Sequence, residues 1–104
     1  MNDADLKLNA INVLYGLAGS SLLRLTVHAP DDNLSIQILY QAGASEDEVE
    51  HYRDFSTELF AAVGFEHSQL HEDLIPIGSA AEAQSIRPLP VHIYCVYGAE
   101  FPAA

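Results

Sequence analysis

The spacing of hydrophobic and polar residues changes along the chain, and each change predicts an element. The clearest segment runs from Ala44 to Phe65, where apolar residues recur three and four positions apart, as on the buried face of a helix. Ser45 followed by Glu48 forms a capping box at its start, and Gly64 with Phe65 suits a Schellman ending. We therefore predict a central helix here. Its buried face is expected to comprise Val49, Tyr52, Phe55, Leu59, Phe60 and Val63.

Two runs of strict alternation precede this helix. Apolar and polar residues alternate from Leu22 to Ala29 and again from Leu34 to Ala42, which is the period of a half-buried strand. Pro30 opens the four-residue turn between them, so the pattern predicts an antiparallel hairpin. The residues expected to face the core are Leu23, Leu25, Val27, Ala29, Leu34, Ile36, Ile38 and Tyr40. Those expected to face the other way are Arg24, Thr26, His28, Ser35, Gln37 and Gln41.

The start of the chain has helical spacing from Asp3 to Ala18, with Asp3 or Asp5 as the cap. Alternation from Leu6 to Ala10 also fits a strand. We predict a helix. Its shared apolar face comprises Leu6, Ala10, Val13, Leu14 and Leu17.

Short β-prone runs return after the central helix. A third strand is expected within Glu66 to Ile77, bent near Glu72 and Asp73. Pro76 is expected at a sheet edge or a strand end, because proline cannot donate to a ladder. A second capping box, Ser79 with Glu82, opens a short helix from Ala80 to Ile86.

The run from Val91 to Tyr97 is rich in β-branched and aromatic residues, and it is apolar on both faces. This predicts an inner strand, or one at least partly covered on its second face. The element order is thus α-β-β-α-β-(α)-β. We predict a single α+β domain over residues 1–104, with a four-stranded, mostly antiparallel sheet and helices on one face.

Charge narrows the range of partners. The chain has 104 residues, with 15 acidic against 4 basic side chains, for a net charge of -11. Direct binding to nucleic acid or to an anionic membrane needs clustered cations, so we expect neither. No apolar run approaches the roughly 20 residues that a membrane span needs. The single Cys95 excludes an intramolecular disulfide, and we expect it to be a buried thiol in a cytoplasmic protein.

Residues that carry chemistry form no recognisable motif. His67 and His71 are four apart, which on a strand places them about 13 Å from one another, too far for one metal ion. We therefore expect no catalytic residue, no metal and no cofactor. An alternative is a small enzymatic or ligand-binding domain with a His/carboxylate pocket around His28, His92 or His71. Another is an assembly protein that dimerises through its sheet or through the exposed side of Val91 to Tyr97.

The predicted partner-binding residues are acidic. Asp47, Glu50, Asp54 and Glu58 line one side of the central helix, where Arg53 is the one nearby cation. The set is completed by Glu66, Glu72 and Asp73. A solvated helix face that serves only solubility is the alternative interpretation. Otherwise these side chains would dock a basic protein.

Small size, a single domain, strong acidity and the lack of a catalytic signature together resemble the cytoplasmic immunity proteins of bacterial contact-dependent inhibition and related polymorphic toxin systems. The resemblance implies a non-enzymatic inhibitor of a toxin nuclease. In that mechanism, acidic side chains cover the basic substrate groove of the nuclease, with an aromatic or apolar contact at the centre.

Overall fold

The computed structural model describes residues 2–14, 21–30, 33–63 and 69–95. The elements in these ranges are α1 (Asp3–Leu14), β1 (Leu22–His28), β2 (Asn33–Gln41), α2 (Glu46–Val63), β3 (Gln69–Ile77), α3 (Ala80–Ser85) and β4 (Val91–Cys95). The predicted α+β class and the element order are confirmed. The predicted continuation of α1 after residue 14, the ending at Gly64 and Phe65, and residues 96–97 of the last strand lie outside the described residues. Among the described helices, none combines the length and hydropathy that a membrane crossing needs.

The four strands form one sheet in the order β3-β2-β1-β4. β1 pairs antiparallel with both β2 and β4, and β2 pairs parallel with β3. The sheet is therefore mostly antiparallel, as predicted. The parallel pair arises because α2 crosses over the sheet between β2 and β3, which a tight turn cannot do.

Both ends of the sheet differ in part from the sequence-based expectation. β3 is an edge strand, as Pro76 indicated, but it pairs continuously with β2 from Gln69 to Ile77, so the bend expected near Glu72 and Asp73 is wrong. β4 lies at the opposite edge, so the inner position that its apolar pattern favoured is also wrong. Its residues Ile93 and Tyr94 are only partly buried against the core.

The hairpin register places Leu25 opposite Ile38 and Val27 opposite Ile36. An irregularity between Leu22 and Arg24 adds one residue to β1. As a result Leu22 joins the main core, whereas Leu23 packs into a second cluster on the other side of the sheet. The sequence-based prediction placed Leu23 in the main core because it assumed strict alternation, without the extra residue in β1.

The main core lies between one face of the sheet and the two longer helices, α1 and α2. Helical spacing identified most of the buried side of α2, since Tyr52, Phe55, Leu59 and Val63 are all buried. In α1, Leu6 and Ala10 are buried, and Val13 and Leu14 pack partly against them. The sheet contributes Leu22, Leu25, Val27, Leu34, Ile36, Ile38 and Val91.

The opposite face of the sheet is covered as well. Because side chains alternate along a strand, Leu39 points away from the main core, and it forms a smaller cluster with Ile77 and with Ala83 of α3. The two longer helices, α1 and α2, therefore cover one face of the sheet, as predicted, whereas the short helix α3 packs on the opposite face. This second layer buries Arg24 and Gln37, which alternation alone placed on an outward face.

The predicted serine caps of α2 and α3 are present, although Glu82 Oε1 accepts from the Gly78 amide at 2.9 Å and not from the Ser79 amide of a full capping box. Ser45 Oγ accepts a hydrogen bond of 3.1 Å from the Glu48 amide, and Ser79 Oγ accepts one of 3.3 Å from the Glu82 amide. At α1, however, Asn2 Oδ1 accepts from the Asp5 amide at 2.8 Å. The cap of α1 is therefore Asn2 rather than Asp3 or Asp5.

Candidate partner-binding surface

Four predicted residues of α2 form one continuous exposed surface. Asp47, Glu50, Asp54 and Glu58, which we call the acidic ridge, are all exposed. They lie on the side of α2 opposite the buried Tyr52, Phe55 and Leu59, because a helix with 3.6 residues per turn separates these two sets. The ridge therefore points away from the sheet into solvent, where it is accessible to a partner.

One ion pair is described along the ridge. Arg53 Nη1 lies 3.5 Å from Glu50 Oε1, and the two side chains are 55% and 62% exposed. An exposed pair of this kind is worth at most about 1 kcal/mol and is screened by salt. Arg53 therefore binds Glu50 only weakly, and a better-positioned lysine or arginine of a partner would be able to replace it.

A shallow groove of about 310 Å³ runs beside the ridge at the start of α2. Glu46, Glu50 and Arg53 line it together with the apolar Ala44 and Val49. A side chain with an aliphatic stem and a cationic end matches this combination of apolar and acidic walls.

The remaining predicted residues do not join the ridge as one patch. Glu66 lies outside the described residues. Glu72 and Asp73 are neighbours on β3, so they point to opposite faces of the sheet. Glu72 lies between Leu70 and Leu74, which pack on the helix-covered face, while the exposed Asp73 is on the other.

The carboxylate of Glu48 has a structural contact that sequence patterns did not reveal. Its Oε2 accepts hydrogen bonds from the Ser21 hydroxyl at 2.8 Å and from the Ser21 amide at 3.3 Å. The Ser21 hydroxyl also contacts the Tyr52 hydroxyl. Burial raises the pKa of Tyr52 above its ordinary value, and the bond to Ser21 opposes that shift. This network connects the start of β1 to α2 and so fixes the orientation of the ridge. Ser21 and Glu48 are 27 residues apart in the sequence, so only the folded structure reveals their contact.

A second polar network lies under the chain that follows α3. Arg24 Nη2 donates to Gln37 Oε1 at 2.9 Å and to the Ile86 carbonyl at 3.0 Å. Gln37 Nε2 donates to the Arg87 carbonyl at 2.9 Å, and the Leu89 amide donates to Thr26 Oγ1 at 3.1 Å. Desolvation lowers the pKa of Arg24, and the nearby Cys95 opposes that effect. Three of these bonds hold residues 86–89 against the second face, and the Arg24–Gln37 bond joins the two strands beneath them.

The histidines do not converge. His51, His71 and His92 are exposed, His67 lies outside the described residues, and His28 is half-buried with an Nδ1 that has no described hydrogen-bond partner. Within residues 2–14, 21–30, 33–63 and 69–95, no three His, Cys, Asp or Glu side chains are grouped to hold a metal ion.

The expectation that Cys95 is a buried thiol is wrong, because it is exposed. The pattern of β4 suggested burial, but an edge strand at the rim of the sheet leaves part of its surface open.

A cleft of about 270 Å³ lies on the second face of the sheet, beside β3. It is lined by Pro30, Asn33, Ser35, Gln69 and His71. In the parallel pairing, Asn33 is opposite Gln69 and Ser35 is opposite His71, so two amides, a hydroxyl and an imidazole converge there. These groups can donate and accept hydrogen bonds to a polar side chain or a small polar molecule.

Comparison with known proteins shows a similarity in fold and none in sequence family. No protein-family model matches the chain. No curated protein matches it either. A crystal structure of a protein from Shewanella oneidensis is similar, with a TM-score of 0.57 at 11% sequence identity. The similarity covers 95% of this chain and 77% of that one. The arrangement of elements described above is therefore shared with a bacterial protein of known structure.

Proposed function

We propose that this protein is a non-enzymatic binding protein that neutralises a basic protein partner. The observation that carries the proposal is the acidic ridge of Asp47, Glu50, Asp54 and Glu58, exposed along α2 and directed away from the sheet. A surface of one charge attracts a partner of the opposite charge and speeds its association.

Burial of Arg24 strengthens this electrostatic asymmetry. It is 7% exposed and lies under residues 86–89, so its charge contributes little to the surface that a partner meets. The surface is thereby more acidic than the net charge of -11 alone conveys. A basic groove or loop is the complementary surface, and an anionic polymer is repelled.

The groove beside the ridge supplies a place for one anchoring side chain. A lysine or arginine of the partner that enters between Glu46 and Glu50 would displace Arg53 and bury its stem against Val49. Binding sites of this kind concentrate affinity in a few residues while the surrounding charges set the rate of association.

A toxin nuclease is the partner that we propose for a cytoplasmic, bacterial protein of this character. A nuclease has a basic groove for its phosphate-backbone substrate, and the ridge presents carboxylates along a helix that would occupy such a groove. The protein would then act as an immunity protein, covering the active site of its cognate toxin without performing chemistry.

The test is co-expression of the protein with the product of the adjacent gene, followed by measurement of association rates against salt. We expect a basic partner to co-purify and to associate more slowly as salt rises. The variant Asp47→Lys, Asp54→Lys, Glu58→Lys should associate at least about tenfold more slowly, with a flatter salt dependence.

The matched control is Asp3→Lys, Ala4→Lys, Asp5→Lys, Asn12→Lys on the exposed side of α1, which changes the net charge equally but leaves the ridge intact. This control should retain most of the wild-type rate. Equal rates for the ridge variant and the wild type at low salt would show that the ridge is not the binding surface. A partner that carries no basic surface would contradict the proposed function itself.

A further inference from the structure

Among the described residues, no strand pairs with the outer edge of β3. β3 has nine residues and lies at the end of the sheet, where β2 is its one strand neighbour among the described residues. Amide and carbonyl groups that point away from β2 are therefore available to another strand. Pro76 lacks an amide hydrogen, so the segment that can pair fully runs from Gln69 to Ile75.

This edge has acidic side chains on both faces at its centre. Asp73 is the middle residue of β3 and is exposed on the second face, and Glu72 faces the helix-covered side. A strand added beside β3 would run past one carboxylate on each face. Side chains directly across a strand pair interact, so cationic residues at these two positions would be favoured.

The same charges oppose pairing with a second copy of the chain. A two-fold antiparallel pairing centred on β3 would place Asp73 opposite its own copy, and like charges at that separation are destabilising. Charged side chains on an edge strand are a known way in which proteins avoid such self-association. The edge therefore discriminates in favour of a foreign, basic strand.

The cleft lies beside the first half of this edge. Gln69 and His71 line the cleft and occupy the same face of β3 as Asp73. In strand addition, main-chain hydrogen bonds supply affinity, and pockets for alternate side chains supply specificity. A polar side chain of the added strand would enter the cleft two positions from the residue that pairs with Asp73.

We propose that the β3 edge binds an extended basic segment of the partner as a fifth strand. This inference rests on the proposed function, because it names how the basic partner docks. Leu70 and Leu74, packed partly against the main core, hold β3 in place for the addition.

The test is hydrogen exchange, followed by NMR, on the full chain with a nine-residue peptide of valine and threonine that carries two adjacent lysines at its centre, so that one lysine lies on each face of the added strand. We expect the outward-facing amides between Gln69 and Ile75 to exchange at least about tenfold more slowly when peptide is bound. The same peptide with every backbone nitrogen methylated keeps its charge, but it cannot donate to the edge and its methyl groups block the close approach that strand pairing needs, so it should give no protection. A peptide with glutamate in place of lysine should not bind.

The variant Glu72→Lys, Asp73→Lys should weaken peptide binding at least about tenfold, whereas Asp3→Lys, Asp5→Lys, with the same change of net charge, should not. Peptide binding without protection of β3, or equal binding of the methylated peptide, would overturn the strand addition. The proposed function would survive that result if the ridge variant still impaired association with the co-expressed partner. Protection of β3 in a dimer of the protein alone would assign the edge to a second copy and also overturn the inference.

Discussion

Arg24 and Gln37 form a hydrogen bond of 2.9 Å between neighbouring strands, in the interior of the second layer of the molecule. Both side chains are 7% exposed. Each also binds a backbone carbonyl of the segment after α3, Arg24 that of Ile86 and Gln37 that of Arg87. The polar residues on the second face of the sheet are thus covered by the segment after α3 and not exposed to solvent.

We expect Arg24→Ala to lower the free energy of unfolding by about 2–4 kcal/mol. The Ile86 carbonyl loses its bond from Arg24, Gln37 Oε1 keeps the longer bond of 3.4 Å from Thr26 Oγ1, and a cavity is left. Urea denaturation measures this. The exposed Arg87→Ala should change stability by less than about 0.5 kcal/mol. Similar values for the two variants would mean that the bonds of Arg24 contribute nothing net to stability.

Tyr52 predicts an alkaline limit to stability. Burial raises the pKa of its phenol above 10.0, so the folded state holds the proton more tightly than the unfolded chain does. The stability associated with that difference is complete below pH 10, the ordinary pKa, and is lost as the pH rises from there through the folded pKa. Urea midpoints measured from neutral to strongly alkaline pH should fall more steeply for the wild type than for Tyr52→Phe.

At neutral pH the same Tyr52→Phe variant should lose about 1 kcal/mol, since its hydroxyl bond to Ser21 is removed while Ser21 keeps its bond to Glu48. Parallel alkaline profiles for the two proteins would contradict the assignment of this limit to Tyr52.

Two leucines in helices provide a matched test of the core. Leu59 is 0% exposed and Leu8 is 60% exposed. Leu59→Ala should cost about 2–5 kcal/mol because it removes buried methyl groups and leaves a cavity. Leu8→Ala should cost less than about 0.5 kcal/mol, with both values taken from urea unfolding curves. A large loss of stability for Leu8→Ala would show that the exposed side of α1 around Leu8 is buried in solution.

The acidic ridge should reduce the stability of the isolated protein at low salt. Asp54 and Glu58 are four residues apart on α2, where like charges cost about 0.2–0.5 kcal/mol. We expect Asp54→Asn, Glu58→Gln to raise the free energy of unfolding by a similar amount in dilute buffer. Sodium chloride should stabilise the wild type more than this variant, because screening removes the repulsion. A ridge variant that is less stable than the wild type at low salt would argue that these carboxylates have stabilising contacts.

Local patterns were sufficient for the elements whose signals lie within a few residues. The caps at Ser45 and Ser79, the buried side of α2, the β1–β2 hairpin and the edge position of Pro76 all follow from hydrogen bonding and side-chain period over short stretches. The exposure of Asp47, Glu50, Asp54 and Glu58 follows from the same helical period. Their role in binding a partner stays a prediction.

Tertiary structure alone decided what covers each face and which strands are neighbours. Alternation shows that Arg24 and Gln37 share a face, but it does not show that residues 86–89 return to cover it. For the same reason β4 was expected to be an inner strand, or one at least partly covered on its second face, and Cys95 was expected to be buried. β4 in fact lies at an edge of the sheet, and Cys95 is exposed. Periodicity reports the direction of a side chain relative to its own backbone, whereas burial and pairing depend on contacts between residues far apart in the chain.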